Sequence, residues 1–211
     1  IVDQENEQIF SFAKGFCEGK EKPKGLWFWG DAGVGKSHLV YAISHEMGKK
    51  AYSGSEFTDE YISSAKKKSL SILKKDIIAS GAFLIDDFQF MNTEMVNLCN
   101  FVQTIFDEIG GRMVVTCDKD SRDPEVRKRI KTEALWSRLA DLYRVKVVPP
   151  GEEGRRRFIE RYCEEEKIPI GPKERELLAK KVSNIRAIKT LLNVYSIIPM
   201  SEEKLSQEID R

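Results

Sequence analysis

The sequence predicts an α/β fold, in which a five-stranded parallel sheet carries helices on both faces and a small C-terminal helical lid follows. Over residues 1–148, short runs of β-forming residues alternate with amphipathic helical patterns. This alternation is typical of a parallel sheet with crossover helices. After Pro149-Pro150-Gly151 no strand candidate remains and only helical patterns follow. The predicted domains are therefore 1–148 for the α/β domain and 149–211 for the lid.

Length and hydrophobic periodicity assign the individual elements. The five strand candidates are short runs rich in apolar residues, at 26–29, 50–53, 82–88, 112–117 and 145–148. Residues 36–47 predict a helix with one apolar side, and residues 92–109 predict a second one with Thr93 as its N-cap. The lid helices are predicted from 152 to about 167, after Pro172, from 183 to about 197, and from Ser201 onward.

The composition excludes several classes of protein. The 211 residues include 41% hydrophobic residues, enough for a core, and the formal net charge of +1 argues against a globally basic nucleic-acid binder. No run approaches the roughly 20 apolar residues of a membrane span, and no signal peptide is visible, so we expect a cytoplasmic protein without membrane contact. The chain begins with Ile1 rather than Met, and we expect it to be a fragment. The cysteines match no zinc-site spacing and are expected to be reduced thiols; they are Cys17, Cys99, Cys117 and Cys163.

Residues 30–37 have the P-loop pattern of glycine, four residues, glycine, lysine and serine. Glycines let the backbone amides turn towards phosphates, and the helix that follows directs its positive dipole end at them. Lys36 supplies a cation, and the Ser37 hydroxyl can ligate Mg²⁺. Because a strand precedes the loop and a helix follows it, we interpret it as an ATP or ADP site rather than a chance glycine-rich turn. The predicted nucleotide-binding residues are Gly30, Asp31, Ala32, Gly33, Val34, Gly35, Lys36, Ser37 and His38.

An apolar strand at residues 82–87 ends in two carboxylates, Asp86 and Asp87. The carboxyl ends of strands are where an α/β sheet binds its ligands, which makes this strand a candidate Walker B element. Asp86 is predicted to hold Mg²⁺ together with Ser37. Asp87 could orient or deprotonate the attacking water; since Asp is shorter than the Glu of many such ATPases, we expect slow hydrolysis. The alternative is a strand that simply ends in solvent.

Together these motifs resemble the AAA+ ATPases of bacterial replication initiation. The resemblance is to the ATPase domain of the initiator DnaA and its regulatory paralogues, and more loosely to DnaC-type helicase loaders, and it covers nearly the whole chain. Residues 1–6 are similar to the family segment that wraps the adenine, which implies that Ile1 and Val2 contact the base. Residues 29–39 and 84–90 carry the P-loop and a Walker B signature close to that of the initiator.

The resemblance implies roles for three further residues. Asp118, which ends the run Val-Val-Thr-Cys-Asp, occupies the polar sensing position of sensor 1. Arg138, in Leu-Trp-Ser-Arg-Leu, corresponds to the arginine finger, which acts on the nucleotide of a neighbouring subunit and would make hydrolysis depend on self-assembly. Arg186, in Ser-Asn-Ile-Arg, corresponds to sensor 2 on the lid. The alternative for both arginines is an ordinary exposed position on a helix.

Residues 57–80 are longer than a βα connection requires and have room for two helices. The resemblance implies an extra helix here, which in DnaA lines a channel for single-stranded DNA. Clustered lysines can neutralise phosphates whatever the base sequence, although a solvated helix face is an equal alternative. Residues 91–94 lack the basic residues that the initiator pattern has after Walker B. The predicted DNA contacts are Ile62, Lys66, Lys67 and Lys68.

The sequence therefore predicts a slowly hydrolysing ATPase of bacterial DNA replication initiation that assembles through Arg138 and engages single-stranded DNA. The alternative is a helicase loader or regulatory paralogue, which would act through contacts with a replicative helicase or an initiator protein. The chain stops at Arg211 without the helix-turn-helix domain of DnaA: either the fragment was cut, or the protein is a paralogue that works through protein contacts, and the second interpretation favours that alternative. A small-molecule P-loop kinase is a third possibility, but it leaves Arg138 and Arg186 unexplained.

Overall fold

A computed structural model of the chain describes residue 4 and residues 6–19 and 23–210. The chain divides into two compact units. The first, called the body, consists of Ile9–Asp31 and Lys36–Val147. The second, called the helical unit, consists of Val148–Arg211, Ala32–Gly35 and the described residues up to Gln8. The division near residue 148 lies close to the predicted domain boundary, whereas the prediction assigns Ala32–Gly35 to the α/β domain.

The body contains the predicted five-stranded parallel sheet, with strand order β2-β3-β4-β1-β5. The strands are β1 Leu26–Trp29, β2 Ala51–Ser53, β3 Phe83–Asp86, β4 Met113–Cys117 and β5 Tyr143–Lys146. The helices of the amino-terminal 147 residues are α1 Glu7–Cys17, α2 Lys36–Met47, α3 Gly54–Lys66, α4 Leu70–Ser80, α5 Val96–Glu108, α6 Pro124–Arg129 and α7 Glu133–Ala140, with a 3-10 turn at Phe88–Phe90. The predicted fold class is confirmed, and α3 and α4 fill the segment with room for two helices.

Burial affects how clearly a strand appears in the sequence. β1 has the predicted bounds, whereas β3 ends two residues before its predicted end, just ahead of the 3-10 turn at Phe88–Phe90. All residues of β3 and β4 are buried, so both strands read as continuous apolar runs. The edge strand β5 lies at Tyr143–Lys146 rather than at the predicted 145–148, because only Val145 among its four residues is buried and the strand gives no continuous apolar run. Pairing with β1 fixes its position, with Leu26 opposite Tyr143.

The start of α5 also differs from the prediction. Thr93 does not cap this helix: Met95 is the N-cap residue, and the Thr93 hydroxyl donates to the carbonyl oxygen of Arg129 at 3.0 Å. Thr93 is buried, and a buried hydroxyl needs a hydrogen-bond partner. A tertiary contact therefore takes the hydroxyl that local sequence assigned to the cap.

The beginning of α3 brings its N-terminus against the end of β3. Ser53, the last residue of β2, forms a capping box with Glu56, so the helix begins immediately after the strand. A side chain on Gly54 would lie 2.6 Å from the carbonyl oxygen of Asp87 and 2.7 Å from the amide nitrogen of Met91. Glycine is therefore required for this close approach to the loop that carries Asp87.

The helical unit has a hydrophobic core of its own. It contains α8 Glu152–Glu165, α9 Pro172–Lys181, α10 Ile185–Ile197 and α11 Glu202–Ile209. Apolar residues from all four helices meet in that core, among them Ile159, Leu178, Ile188, Leu192 and Leu205. No strand occurs among its described residues, in line with the sequence analysis.

Three findings concern the membrane span, the cysteines and the metal sites that the sequence analysis considered. In the described part of the chain, no helix is both long and apolar enough to cross a membrane. All four cysteines are free thiols, and three of them are buried. Burial raises the pKa of the Cys117 thiol to about 12. Residues 6–19 and 23–210 contain no cluster of three or more His, Cys, Asp or Glu side chains that could hold a metal ion by themselves.

Candidate nucleotide-binding site

The P-loop backbone requires glycine at two of its turns. Gly33 and Gly35 have φ values of 81° and 105°, in the region that other residues rarely adopt. A side chain at Gly35 would meet no atom within 4 Å, so its conformation alone demands glycine. Of the predicted nucleotide contacts around this loop, Val34 is buried and His38 is exposed. Ile1 and Val2, predicted to contact adenine, lie outside the described residues.

Lys36 is held at the base of the loop by backbone carbonyls. It is the first residue of α2 and is buried despite its charge. Its ammonium nitrogen donates to the carbonyl oxygens of Gly30 and Asp31, each at 2.8 Å. These two bonds compensate for the loss of solvation. They also fix the ammonium next to the turn where phosphates would bind, so one charged donor is already in place for a polyphosphate.

The carboxyl end of β3 forms a hydrogen-bonded cluster with β4. Asp86 is buried, and one of its carboxylate oxygens accepts a hydrogen bond from the Thr116 hydroxyl. The same hydroxyl oxygen accepts from the backbone amide of Asp87 at 2.8 Å. Thr116 therefore connects both acidic residues. The sequence analysis did not identify it, although a threonine within the apolar run 113–117 was the available signal.

Asp87 has an uncommon backbone conformation and a side-chain partner of its own. Its φ of 51° and ψ of 52° place it in the left-handed region. The side-chain amide of Gln89 donates to its Oδ1 atom at 2.9 Å. Strained residues of this kind persist where the surroundings determine their conformation, often at functional sites. The conformation and the bond from Gln89 together orient the Asp87 carboxylate.

The donors at this end of β3 suit Mg²⁺. The predicted ligands are the Asp86 carboxylate and the Ser37 hydroxyl. Both are hard oxygen ligands of the kind that this ion uses, with water and phosphate completing the coordination. Since Thr116 donates to Oδ1 of Asp86, the second carboxylate oxygen is the one available to a cation. On α2, the pKa of the Tyr41 phenol is raised by partial burial of this half-exposed side chain and by the nearby carboxylates of Asp86, Glu56 and Asp87.

Asp118 lies two residues beyond Thr116 and is exposed. Its Oδ1 atom accepts a hydrogen bond from the thiol of Cys117 at 3.2 Å. Thr116, and not Asp118, is the residue of this segment that donates a hydrogen bond to Asp86. The sensing role of Asp118 stays a prediction.

Arg138 forms a two-pronged ion pair with Asp107. Its Nε and Nη2 atoms donate to the two carboxylate oxygens at 2.6 and 3.0 Å. Its Nη1 atom donates to the carbonyl oxygen of Ala134, one turn earlier in α7, at 3.1 Å. The hydrogen bonds from Arg138 lower the pKa of the Asp107 carboxyl. Within the described chain, this arginine is paired with α5 rather than with Asp86 or Asp87.

In the helical unit, Asn184 joins the start of α10 to the P-loop segment that belongs to this unit. Its Oδ1 atom accepts from the backbone amides of Arg186 and Ala187 at 2.9 and 3.2 Å, which caps the helix. Its Nδ2 atom donates to the carbonyl oxygen of Ala32 at 2.7 Å. The sequence analysis placed the start of this helix here but did not predict the bond to Ala32. The predicted sensor, Arg186, is exposed in the first turn of α10.

The predicted DNA contacts lie at α3 and just after it. Ile62 is half-buried and packs against the core of the body. Lys66, Lys67 and Lys68 are exposed, and none of them forms an ion pair with another described residue. Lys74, by contrast, is paired with Glu108 at 2.8 Å. The three consecutive lysines therefore leave their charge available to a ligand.

A cleft in the body lies apart from these residues. It has a volume of 1180 Å³, and its lining includes Phe12, Trp29, Asp107, Tyr143, Arg144 and Lys146. None of Lys36, Asp86 and Asp87 lines it. The predicted P-loop and Walker B residues therefore lie outside this cleft, whose lining carries charged side chains of its own.

The chain is similar in sequence to bacterial replication initiators. Residues 1–140 match the family model of the bacterial DnaA ATPase domain. The chromosomal replication initiator protein DnaA of Enterococcus faecalis is 28% identical over 196 residues, which are 87% of this chain and 43% of that protein. The chain thus spans less than half the length of this curated relative.

Solved structures of initiators share the fold. Domain III of the Thermotoga maritima replication initiation protein DnaA has a TM-score of 0.78 at 21% identity, covering 99% of this chain and 92% of that one. A replication initiator DnaA bound to AMPPCP and single-stranded DNA has a TM-score of 0.79 at 18% identity, covering 99% of this chain and 66% of that one. The architecture of the sheet and helices is common to these molecules.

Proposed function

Because the chain belongs to the family of bacterial DnaA ATPase domains, we propose that it binds ATP with Mg²⁺ and hydrolyses it slowly, as a step in bacterial replication initiation. The observation that carries the proposal is a buried lysine at the P-loop, Lys36, together with a hydrogen-bonded pair at the sheet edge, Asp86 and Thr116. A buried ammonium at the P-loop and a buried, hydrogen-bonded carboxylate at the end of β3 are the two charges that a nucleotide and its cation need.

The P-loop would bind the phosphates. On ATP binding, Lys36 would exchange its bonds to the carbonyl oxygens of Gly30 and Asp31 for bonds to the terminal phosphates. Backbone amides of the glycine-rich turn and the N-terminus of α2 add further donors. Ser37 and Asp86 would hold Mg²⁺, which spreads the negative charge of the phosphates when bound.

Asp87 would orient the attacking water. Gln89 donates to its carboxylate, and the Asp87 backbone amide donates to the Thr116 hydroxyl, so both the side chain and the backbone of Asp87 are held. Since an Asp side chain reaches less far than Glu, we expect slow turnover in the isolated chain. Asp118 and Arg186 would report the state of the nucleotide from sensor 1 and sensor 2, and residues 149–211 would serve as the lid.

Turnover would depend on assembly. Arg138 would act as the arginine finger on ATP bound to a second copy of the chain; such fingers are worth about 10³–10⁵ in kcat in GTPases. Turnover per molecule should therefore rise with protein concentration. Lys36→Ala is the control, because it removes the P-loop cation and should abolish ATP binding at every concentration.

Single-stranded DNA is the proposed partner of the assembled form. The chain shares its fold with an initiator bound to such DNA, and Lys66, Lys67 and Lys68 present unpaired positive charge. The alternative is a helicase loader or regulatory paralogue that contacts a replicative helicase or initiator protein. It is favoured by residues 91–94, which carry no basic side chain, with Asn92 and Glu94 exposed.

Fluorescence anisotropy of a labelled DNA single strand distinguishes the DNA-binding initiator from the loader or regulatory paralogue. The protein is titrated at one fixed moderate salt concentration, since phosphate contacts make affinity steeply salt-dependent, once with an ATP analogue and once with ADP. Binding only with the ATP analogue supports the initiator function. A triple variant, Lys66→Gln with Lys67→Gln and Lys68→Gln, should then weaken binding. If neither nucleotide state binds DNA while ATP affinity is intact, the DNA proposal is wrong and the loader alternative stands.

A further inference from the structure

The ion pair between α5 and α7 occupies one edge of the Arg138 guanidinium. Asp107 accepts from Nε and Nη2, and Ala134 accepts from Nη1. An arginine has five N–H donors, so the three bonds leave two donors without a partner in these contacts. The arginine and aspartate side chains keep 33% and 45% of their accessible surface. The guanidinium is therefore fixed in orientation while part of it remains open to a ligand.

The two helices form a firm support for this pair. Buried side chains of α5 and α7 belong to one core cluster, with Val102 and Ile105 from α5 and Leu135 and Leu139 from α7. Asp107 is the residue before the last in α5. The carboxylate is thus presented by a packed element rather than by a loop, which is how functional side chains are held within a narrow geometry.

From this arrangement we propose that Asp107 is a positioning residue for the arginine finger. It holds the guanidinium of Arg138 in one orientation, with its remaining donors directed to a phosphate of ATP on a second copy of the chain. The inference rests on the proposed function, in which Arg138 is that finger. An unpaired arginine would have to give up its rotamer freedom when the subunits meet, whereas a paired one has largely lost it beforehand.

The alternative is that Asp107 sequesters Arg138 from the second copy of the chain, which would inhibit ATP turnover instead of supporting it. An acidic residue that hid the finger would lower turnover, and its removal would raise it. The bonding pattern favours positioning because the carboxylate takes the Nε edge and leaves donors on both terminal nitrogens. The two ideas predict changes of opposite sign, so a single substitution decides between them.

The test compares Asp107→Asn with Glu108→Gln in the whole chain. Both changes remove one carboxylate charge from the end of α5, but Glu108 pairs with Lys74 instead of Arg138. ATP turnover is measured against protein concentration, with ATP affinity and Tm as separate readouts. Because misplacement of a reacting group by about 1 Å can cost about 10²-fold, and Ala134 still holds Nη1, we expect about three- to tenfold lower turnover at the plateau for Asp107→Asn. ATP affinity should stay unchanged, and Asp107→Glu should restore part of the loss.

Each outcome has one meaning. A plateau for Asp107→Asn equal to or above that of the wild type overturns the positioning role, as does an equal loss in Glu108→Gln. Arg138→Ala serves as the reference: if its plateau also equals that of the wild type, the finger itself is wrong and the proposed assembly mechanism fails. If Arg138→Ala loses turnover while Asp107→Asn does not, only the positioning role is lost.

Discussion

Replacing Thr116 by valine tests the hydrogen-bonded centre of the site. The side chains have nearly the same shape, so the change removes one hydroxyl from a fully buried position. Asp86 loses the donor to its Oδ1 atom, and the amide of Asp87 loses its acceptor. A buried polar group without a partner costs about 1–3 kcal/mol. We therefore expect the free energy of unfolding to fall by about 2 kcal/mol, or Tm by roughly 4–8 °C for a chain of this size.

Thr104→Val is the matched control. The Thr104 hydroxyl is exposed on α5 and donates only to the carbonyl oxygen of Asn100, one turn earlier, so its loss should change stability by less than about 0.5 kcal/mol. Urea unfolding followed by circular dichroism measures both variants, and an ATPase assay measures turnover at saturating Mg²⁺. Thr116→Val should also reduce turnover, because both acidic residues lose a common anchor. Wild-type stability and wild-type turnover in Thr116→Val would refute the role assigned to this hydroxyl.

Three further predictions address other parts of the molecule. Gly33→Ala should weaken ATP binding, since the residue has a φ of 81° and a Cβ atom there would lie 2.2 Å from the Asn184 side chain. The control Gly48→Ala, at a φ of 60° but in open space, should leave ATP affinity unchanged. Isothermal titration calorimetry compares the two variants. Asp86→Asn should lower the pKa of Tyr41, because one of the charges that raise this pKa is removed. The tyrosinate absorbance measures the change after the signal of the other tyrosines, taken from Tyr41→Phe, is subtracted. An unaltered pKa would contradict the placement of the two groups. Cys117, whose pKa is raised to about 12 by burial, should resist alkylation of the folded chain at pH 8, and half-buried Cys17 should react first; mass spectrometry of the labelled peptides identifies the order.

Local patterns in the sequence were sufficient to predict the fold class, the P-loop and the acidic end of β3. The P-loop could be identified because glycine conformations, the lysine and the start of α2 are encoded in consecutive residues. The acidic end of β3 could be identified because a fully buried strand is a continuous apolar run. Local signals failed where burial was uneven, as at the edge strand β5, or where a tertiary partner took a side chain, as at Thr93.

The contacts that orient the site join residues far apart in the chain, and only the tertiary structure decided them. Thr116 and Asp86 are 30 positions apart, Arg138 and Asp107 are 31 apart, and Asn184 and Ala32 are 152 apart. The first pair depends on how β3 and β4 align, the second on how α5 packs against α7, and the third on the fold of the helical unit. A sequence specifies residue types and local spacing, but a hydrogen bond forms only where packing brings donor and acceptor to within about 3 Å.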